Sequence, residues 1–146
     1  MIALGADHGG FELKEAVKSH LDSIGVAYRD FGCFSTESVD YPDMAAPPCR
    51  AVVAGECNKA LPLCGTGVGI SIAANKIHGL RACCCSDVFS AKYTRLHNDA
   101  NALCLGGRVV GAGLAIELVD VFLNTAFEGG RHATRVAKIT ALEDER

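Results

Sequence analysis

The sequence contains no tryptophan, only 6% aromatic residues and no run of lysine or arginine, and its formal net charge at pH 7 is -3. Neutralising a phosphate backbone needs a concentrated basic surface, so the chain offers no footprint for DNA or RNA. Long apolar stretches are missing too: none approaches the ~18 residues of a membrane span. The start, Met1-Ile2-Ala3-Leu4-Gly5-Ala6-Asp7, meets an acid before the core of a signal peptide is complete. These absences lead us to expect a cytoplasmic protein that touches neither membrane nor nucleic acid. No Ser/Gly-rich linker, internal repeat or low-complexity segment divides the chain. With 49% hydrophobic content, residues 1–146 are expected to form one domain around a substantial core.

Cysteine, by contrast, is abundant. An even count of eight invites a disulfide reading, yet Cys33, Cys49, Cys57, Cys64, Cys83, Cys84, Cys85 and Cys104 include no CxxC pair. Consecutive cysteines in a strand point to alternating faces, which suits no single metal ion. No metal site is expected, and every cysteine except Cys64 is read as a small buried hydrophobe in a reducing compartment.

Strand-like runs recur at Ile2 to Ala6, Val26 to Phe31, Ala60 to Cys64, Leu80 to Cys85 and Asn101 to Leu105, each followed by a helical pattern. The alternation predicts an α/β protein with a three-layer α/β/α, Rossmann-like fold and a five-stranded parallel sheet. The first helix carries Phe11, Leu13, Ala16, Val17, His20, Leu21 and Ile24 near helical spacing and stops at Gly25. A second starts near Tyr41, with Pro42 in its first turn, and ends before Gly55; Pro47 and Pro48 are expected to interrupt it. Further helices are expected from Ser86 to about His97, capped by Ser86 or Asp87, and from Gly113 to Ala126. From Phe127 onward, Glu128-Gly129-Gly130-Arg131-His132-Ala133-Thr134-Arg135 reads as a hinge and a basic helical turn. With no strand left to cover, segment 127–146 is expected to pack on a partner subunit.

The chemistry concentrates in Leu61-Pro62-Leu63-Cys64-Gly65-Thr66-Gly67-Val68-Gly69-Ile70-Ser71. A buried strand delivers a thiol to its carboxyl end, and the glycines that follow let bare backbone approach an anion. Ligands of parallel sheets gather at strand carboxyl ends, where Asp7-His8-Gly9-Gly10, Ser86-Asp87 and Gly106-Gly107-Arg108 also lie. Known loops fit poorly. A thiol phosphatase needs an arginine where Ile70 stands, a P-loop needs a lysine before Ser71, and the dinucleotide fingerprint needs G-x-G-x-x-G rather than G-x-G-x-G. A small anionic ligand remains. Pro62, which removes a ladder donor two residues before Cys64, is an unusual choice within a strand.

The ordered blocks Asp7-His8-Gly9-Gly10-Phe11-Glu12-Leu13-Lys14, Asp40-Tyr41-Pro42, Cys64 through Lys76, Arg95-Leu96-His97-Asn98-Asp99-Ala100-Asn101, Gly107-Arg108-Val109-Val110-Gly111 and Glu128-Gly129-Gly130-Arg131-His132 span nearly the whole chain. Together they resemble the type B ribose-5-phosphate isomerases, with the related allose- and galactose-6-phosphate isomerases. The resemblance implies metal-independent aldose-ketose isomerisation of a sugar phosphate through an enediolate, with no cofactor. It makes Cys64 the base that moves the proton between C2 and C1. A free thiol ionises near 8.5, and a helix N-terminus lowers that. Backbone N–H groups of Gly65, Gly67, Val68 and Gly69 would hold the enediolate oxygen, with Thr66 relaying protons.

The resemblance also assigns ring opening to His97, with Asp7 as partner. It assigns the phosphate to Arg131 and Arg135, one helical turn apart, with His8 and Arg108 nearby, and sugar contacts to Tyr41 and Asn98. His97 and the C-terminal arginines lie remote from Cys64 along the chain. The implied assembly is therefore a homodimer, or a dimer of dimers, with active sites at the interface. Each residue has a plainer role open to it: Asp7 as a helix cap, His97 as an answer to a helix dipole, the arginines as a solvated face. His20, His78 and His132 are read as surface or structural. Because Cys64, His97 and both arginines sit on one chain, ribose 5-phosphate is the expected substrate. Allose 6-phosphate or another hexose phosphate, and a non-catalytic sugar-phosphate sensor, stand as alternatives, with a thiol redox protein behind them.

Overall fold

The computed structural model describes residues 1–145. Strands β1 (Ile2–Ala6), β2 (Tyr28–Asp30), β3 (Lys59–Cys64), β4 (Ala82–Cys84) and β5 (Ala102–Gly106) form one parallel sheet in the order β2-β1-β3-β5-β4. β1, β3 and β5 are covered on both faces, which is why their sequences run apolar without alternation. The edge strands β2 and β4 have one neighbour each and are shorter than the sequence runs suggest, at three residues apiece.

Helices α1 (Phe11–Ser23), α4 (Val88–Asn98) and α5 (Ala112–Asn124) cover one face. There Leu13, Val17, Leu21, Leu118 and Phe122 meet Leu4, Leu61, Leu63, Leu103 and Leu105 in the main core. Helices α2 (Tyr41–Val53) and α3 (Val68–Ala74) cover the other face, and its core is built from small residues: Ala3, Ala45, Ala60, Ala102, Cys49, Cys57, Cys64 and Cys104. This face accounts for half of the cysteines. Small side chains let α2 approach the sheet so closely that a Cβ on Gly5 would lie 2.7 Å from the Met44 carbonyl oxygen.

The expected interruption of α2 does not occur. The helix runs unbroken through Pro47 and Pro48, with Pro48 and Cys49 buried against the sheet. Burial of that face outweighs the two backbone donors that the prolines lack. Pro62 has the foreseen effect: β3 keeps full register with β1, but its pairing with β5 lapses at Leu61 and Pro62.

α4 is capped by Asp87, whose carboxylate accepts from Ser90 N–H at 2.7 Å. The segment after Phe127 is more than a basic turn: α6 (Arg131–Ala141) and a short 3₁₀ turn (Leu142–Glu145) follow Gly129 and Gly130, both at positive φ. α6 lies beside the end of α4 and buries only His132.

Lys14 is fully buried, and its ammonium binds both oxygens of Asp30 at 2.7 and 2.8 Å and the Cys33 carbonyl oxygen at 2.6 Å. It pins the end of β2 and the chain that leads from there to Tyr41.

Candidate active site

The chain leaves β1 toward β2 and leaves β3 toward β4, in opposite directions along the sheet, so the switch point lies between β1 and β3. Asp7 follows β1 and Cys64 ends β3 there, and Asp7 N–H donates to the Leu63 carbonyl at 3.1 Å. The loop after β5 closes the third side: Gly107 N–H donates to the Cys64 carbonyl at 2.8 Å and Arg108 N–H to the Gly65 carbonyl at 2.9 Å.

Cys64 is 4% exposed, and its sulfur accepts the Gly67 N–H at 3.1 Å. Gly67 has φ +80°, and a Cβ there would lie 2.8 Å from the Cys84 sulfur. Only glycine turns the loop back onto the thiol. Thr66 Oγ1 accepts from Val68 N–H at 3.2 Å. Gly67 and Val68 N–H are thus occupied by side chains, and among the described residues those of Gly65 and Gly69 have no such partner. The anion cradle is therefore narrower than the full Gly65–Gly69 run expected from the sequence.

Around this loop stand three more of the expected residues. The Arg108 guanidinium lies over Gly65, 3.2 Å from where a Cβ would be, and the Tyr41 ring lies over Gly69 at 2.9 Å by the same measure. His8 Nδ1 accepts from Val39 N–H at 3.2 Å, which leaves its proton on Nε2, and His8 and Arg108 line a 200 Å³ cleft with Thr36. Asp7 is 6% exposed and its Oδ1 accepts from Gly9 and Gly10 N–H at 2.9 and 3.1 Å. It holds the first loop in shape, the plainer of its two roles.

The remaining expected residues gather elsewhere. His97, in the last turn of α4, lines a 660 Å³ hollow with Tyr93, Phe127, Glu128 and Arg131. Asn98 lies beside it, on a cleft formed with Cys83, Cys84, Cys85 and Phe89. Arg131 and Arg135 share the first turns of α6, and neither meets a carboxylate among the described residues. The expected residues therefore fall into two groups on different elements, a thiol loop and a histidine–arginine cluster.

His132, read from the sequence as surface or structural, is buried and stacks on His97 with centroids 4.0 Å apart and planes at 11°. Burial, then the neighbouring His97, Arg131 and Arg135 charges, push its pKa down. The sequence signal was its place in the Glu128–Arg135 block. His97, Glu128 and His132 bring one ligand atom each within 4.8 Å, a donor set that a transition metal accepts. Nearly parallel stacked rings cannot both aim lone pairs at one ion between them, and two arginines oppose a cation, so the cluster fits proton sharing better than metal binding.

Two sequence readings of the cysteines need correction. Cys84 is exposed and Cys83 half-buried, because β4 is an edge strand. All eight are free thiols. Burial pushes Cys49 and Cys85 up to about 12 and Cys104 well above the ordinary thiol value.

A parallel α/β sheet with a thiol and an anion cradle at its switch point defines a protein that handles a small anionic substrate. The sequence matches the Ribose/Galactose Isomerase family model over residues 2–139, and the chain belongs to that family. It is 50% identical over 145 residues to ribose-5-phosphate isomerase B of Escherichia coli, covering 99% of this chain and 97% of the relative. The structure superposes on Clostridium thermocellum ribose-5-phosphate isomerase B with TM-score 0.97 and 50% identity, covering 99% and 97% of the two chains. A further relative, the D-erythrulose-4-phosphate isomerase of Pectobacterium atrosepticum, is 39% identical over 145 residues, covering 99% of this chain and 95% of the relative. No helix is long and apolar enough to cross a membrane among the described residues.

Proposed function

We propose that this chain interconverts ribose 5-phosphate and ribulose 5-phosphate by an enediolate route. The observation that carries the proposal is the thiol cradle: Cys64 Sγ under the Gly67 N–H, with free N–H groups at Gly65 and Gly69 and Arg108, His8 and Tyr41 around the mouth. The Cys64 thiolate takes the C2 proton of the open-chain aldose, and the electron pair forms the C1=C2 enediolate. The same group returns a proton to C1 as the O2 proton departs, giving the ketose; the Thr66 hydroxyl carries protons between O1 and O2. The cradle N–H groups hold the developing oxyanion, where one lost donor typically costs about 10²–10³ in rate. No step calls for a metal or an organic cofactor.

Ribose 5-phosphate is mainly a furanose, so the C1–O4 bond must first break, O4 gaining a proton and the C1 hydroxyl losing one. His97 supplies the proton and Asn98 contacts the sugar. Arg131 and Arg135 hold the phosphate as a fork of donors without a competing carboxylate. A two-fold dimer joins the cradle of one subunit to the His97–Arg135 cluster of its partner, and α6, exposed along most of its length, docks residues 127–145 on that partner. Asp7 of the cradle then meets the partner's His97. Residues 1–146 act as one domain, and a reducing cytoplasm suits eight free thiols.

The D-erythrulose-4-phosphate isomerase among the relatives favours a second reading, another sugar phosphate of different chain length. Conversion of ribose 5-phosphate, allose 6-phosphate and erythrose 4-phosphate, compared with excess EDTA present, separates the two. Preference for ribose 5-phosphate supports the proposal. Faster conversion of another sugar overturns it in favour of the second reading, and binding without conversion of any points to a sensor.

A further inference from the structure

The expected carboxylate partner of His97, Asp7, spends its Oδ1 on the Gly9 and Gly10 N–H groups. Within the chain a different carboxylate faces His97: Glu128 Oε2 lies 3.6 Å from His97 Nε2 and 3.7 Å from His132 Nε2. Glu128 does not stand there by chance. Its N–H donates to the Leu96 carbonyl at 3.1 Å, tying the segment before α6 to the last turn of α4.

The state of His132 follows from its other nitrogen. Arg135 Nη1 lies 3.3 Å from His132 Nδ1, and a guanidinium only donates, so Nδ1 accepts. Neutral His132 therefore carries its proton on Nε2. That nitrogen is buried, and it is the one side-chain polar atom of its kind without a hydrogen-bond partner among the described residues. The acceptor it faces is Glu128. His132 also forms the floor on which the His97 ring stacks, and Tyr93 meets His97 edge-on with centroids 4.9 Å apart.

We propose that Glu128 and His132 are positioning residues for His97: His132, held as its Nε2–H tautomer by Arg135, fixes the plane of the His97 ring, and Glu128 orients the Nε2 through which His97 opens the sugar ring. The proposal rests on the isomerase reading above. Two stacked imidazoles cannot readily both be charged. Burial, His97, Arg131 and Arg135 all oppose a proton on His132, while Glu128 favours one. Of the two rings His97 is the half-exposed one that opens onto the hollow, with Glu128, Arg131, His132 and Tyr93, and the partner's Asp7 in the proposed dimer, as the titratable and charged groups around it.

Two readouts on the full-length protein test this. Nitrogen-15 NMR of the imidazoles should show His132 as the Nε2–H tautomer, and Glu128→Gln should move the Nε2 resonances of both His97 and His132, the two nitrogens its carboxylate faces. A His132 Nδ1–H tautomer, or Nε2 resonances that Glu128→Gln leaves in place, overturns the proposal whatever the substrate. In turnover, Glu128→Gln should slow conversion of ribose 5-phosphate roughly tenfold. The same variant should leave deuterium exchange at C1 of ribulose 5-phosphate, which has no ring to open, close to wild type. Equal losses in both would make Glu128 merely structural and overturn the role. Wild-type protein that converts no ribose 5-phosphate yet shows the predicted tautomer and resonance shifts refutes the isomerase reading instead, and with it the role but not the arrangement of the two rings and the carboxylate.

Discussion

The Gly67 N–H points at the Cys64 sulfur from 3.1 Å, and it does so because Gly67 takes φ +80° in a space that no side chain can share. A methyl group at Gly67 would lie 2.8 Å from the Cys84 sulfur and 2.9 Å from the Leu105 carbonyl carbon. Gly67→Ala should therefore both strain the loop, by about 1–3 kcal/mol, and pull the donor off the thiol. A fall in kcat of at least about tenfold, with a modest loss in urea midpoint, is the expected result of steady-state kinetics and equilibrium unfolding.

The proposed sharing of each site between two subunits is open to a mixing experiment. Cys64→Ala and His97→Asn chains should each be inactive on ribose 5-phosphate. Denatured and refolded together, they should form mixed dimers in which one of the two sites combines a wild-type Cys64 with a wild-type His97. Recovery approaching about a quarter of wild-type activity is expected from random pairing. No recovery would place both residues of each site on one chain.

His97→Asn alone should separate ring opening from proton transfer. Conversion of ribose 5-phosphate should fall about 10²-fold or more, while C1 deuterium exchange into ribulose 5-phosphate persists. Equal losses would remove the ring-opening role.

Acid stability should depend on Asp30. Burial alone would push its carboxyl up, but hydrogen bonds from Lys14, the Gly32 N–H and Lys18 overcome this and hold it below the ordinary carboxylate value. A depressed folded-state pKa contributes stability that is present above the unfolded value of about 3.9 and lost as pH falls through the folded value. Wild-type urea midpoints should drop below about pH 4, and Asp30→Asn should flatten that drop. Removing the buried partner is harsher: Lys14→Ala should cost about 3–5 kcal/mol near neutral pH.

The thiols should divide by burial. Cys33, Cys49, Cys57, Cys85 and Cys104 should resist iodoacetamide in the native protein, while the exposed Cys84 reacts. Peptide mapping after brief alkylation checks this, and rapid modification of Cys49 or Cys104 would contradict the small-residue core beneath α2.

The apolar runs of β1, β3 and β5, and the caps and glycine stops of the helices, made the layered fold legible, because each depends on near neighbours in sequence. The proposed cradle was legible for the same reason: Cys64, Thr66, Gly67 and Gly69 follow one another closely from the end of β3 into the start of α3. What escaped was set by tertiary packing. The continuity of α2 through Pro47 and Pro48 depends on the small residues of the sheet beneath it, and the exposure of Cys84 on the edge position of β4. The burial of His132 against His97 needs α4 and α6 to meet, and nothing in the spacing of those residues announces it.

The most direct test of the account is proton NMR of ribulose 5-phosphate in D2O with excess EDTA, comparing wild type with Cys64→Ala. The wild-type protein should form ribose 5-phosphate with deuterium at C2 and exchange the C1 proton of the remaining ketose. Cys64→Ala should do neither while still binding the sugar phosphate. Exchange that survives in Cys64→Ala would contradict the assignment of the base and, with it, the reading of the cradle.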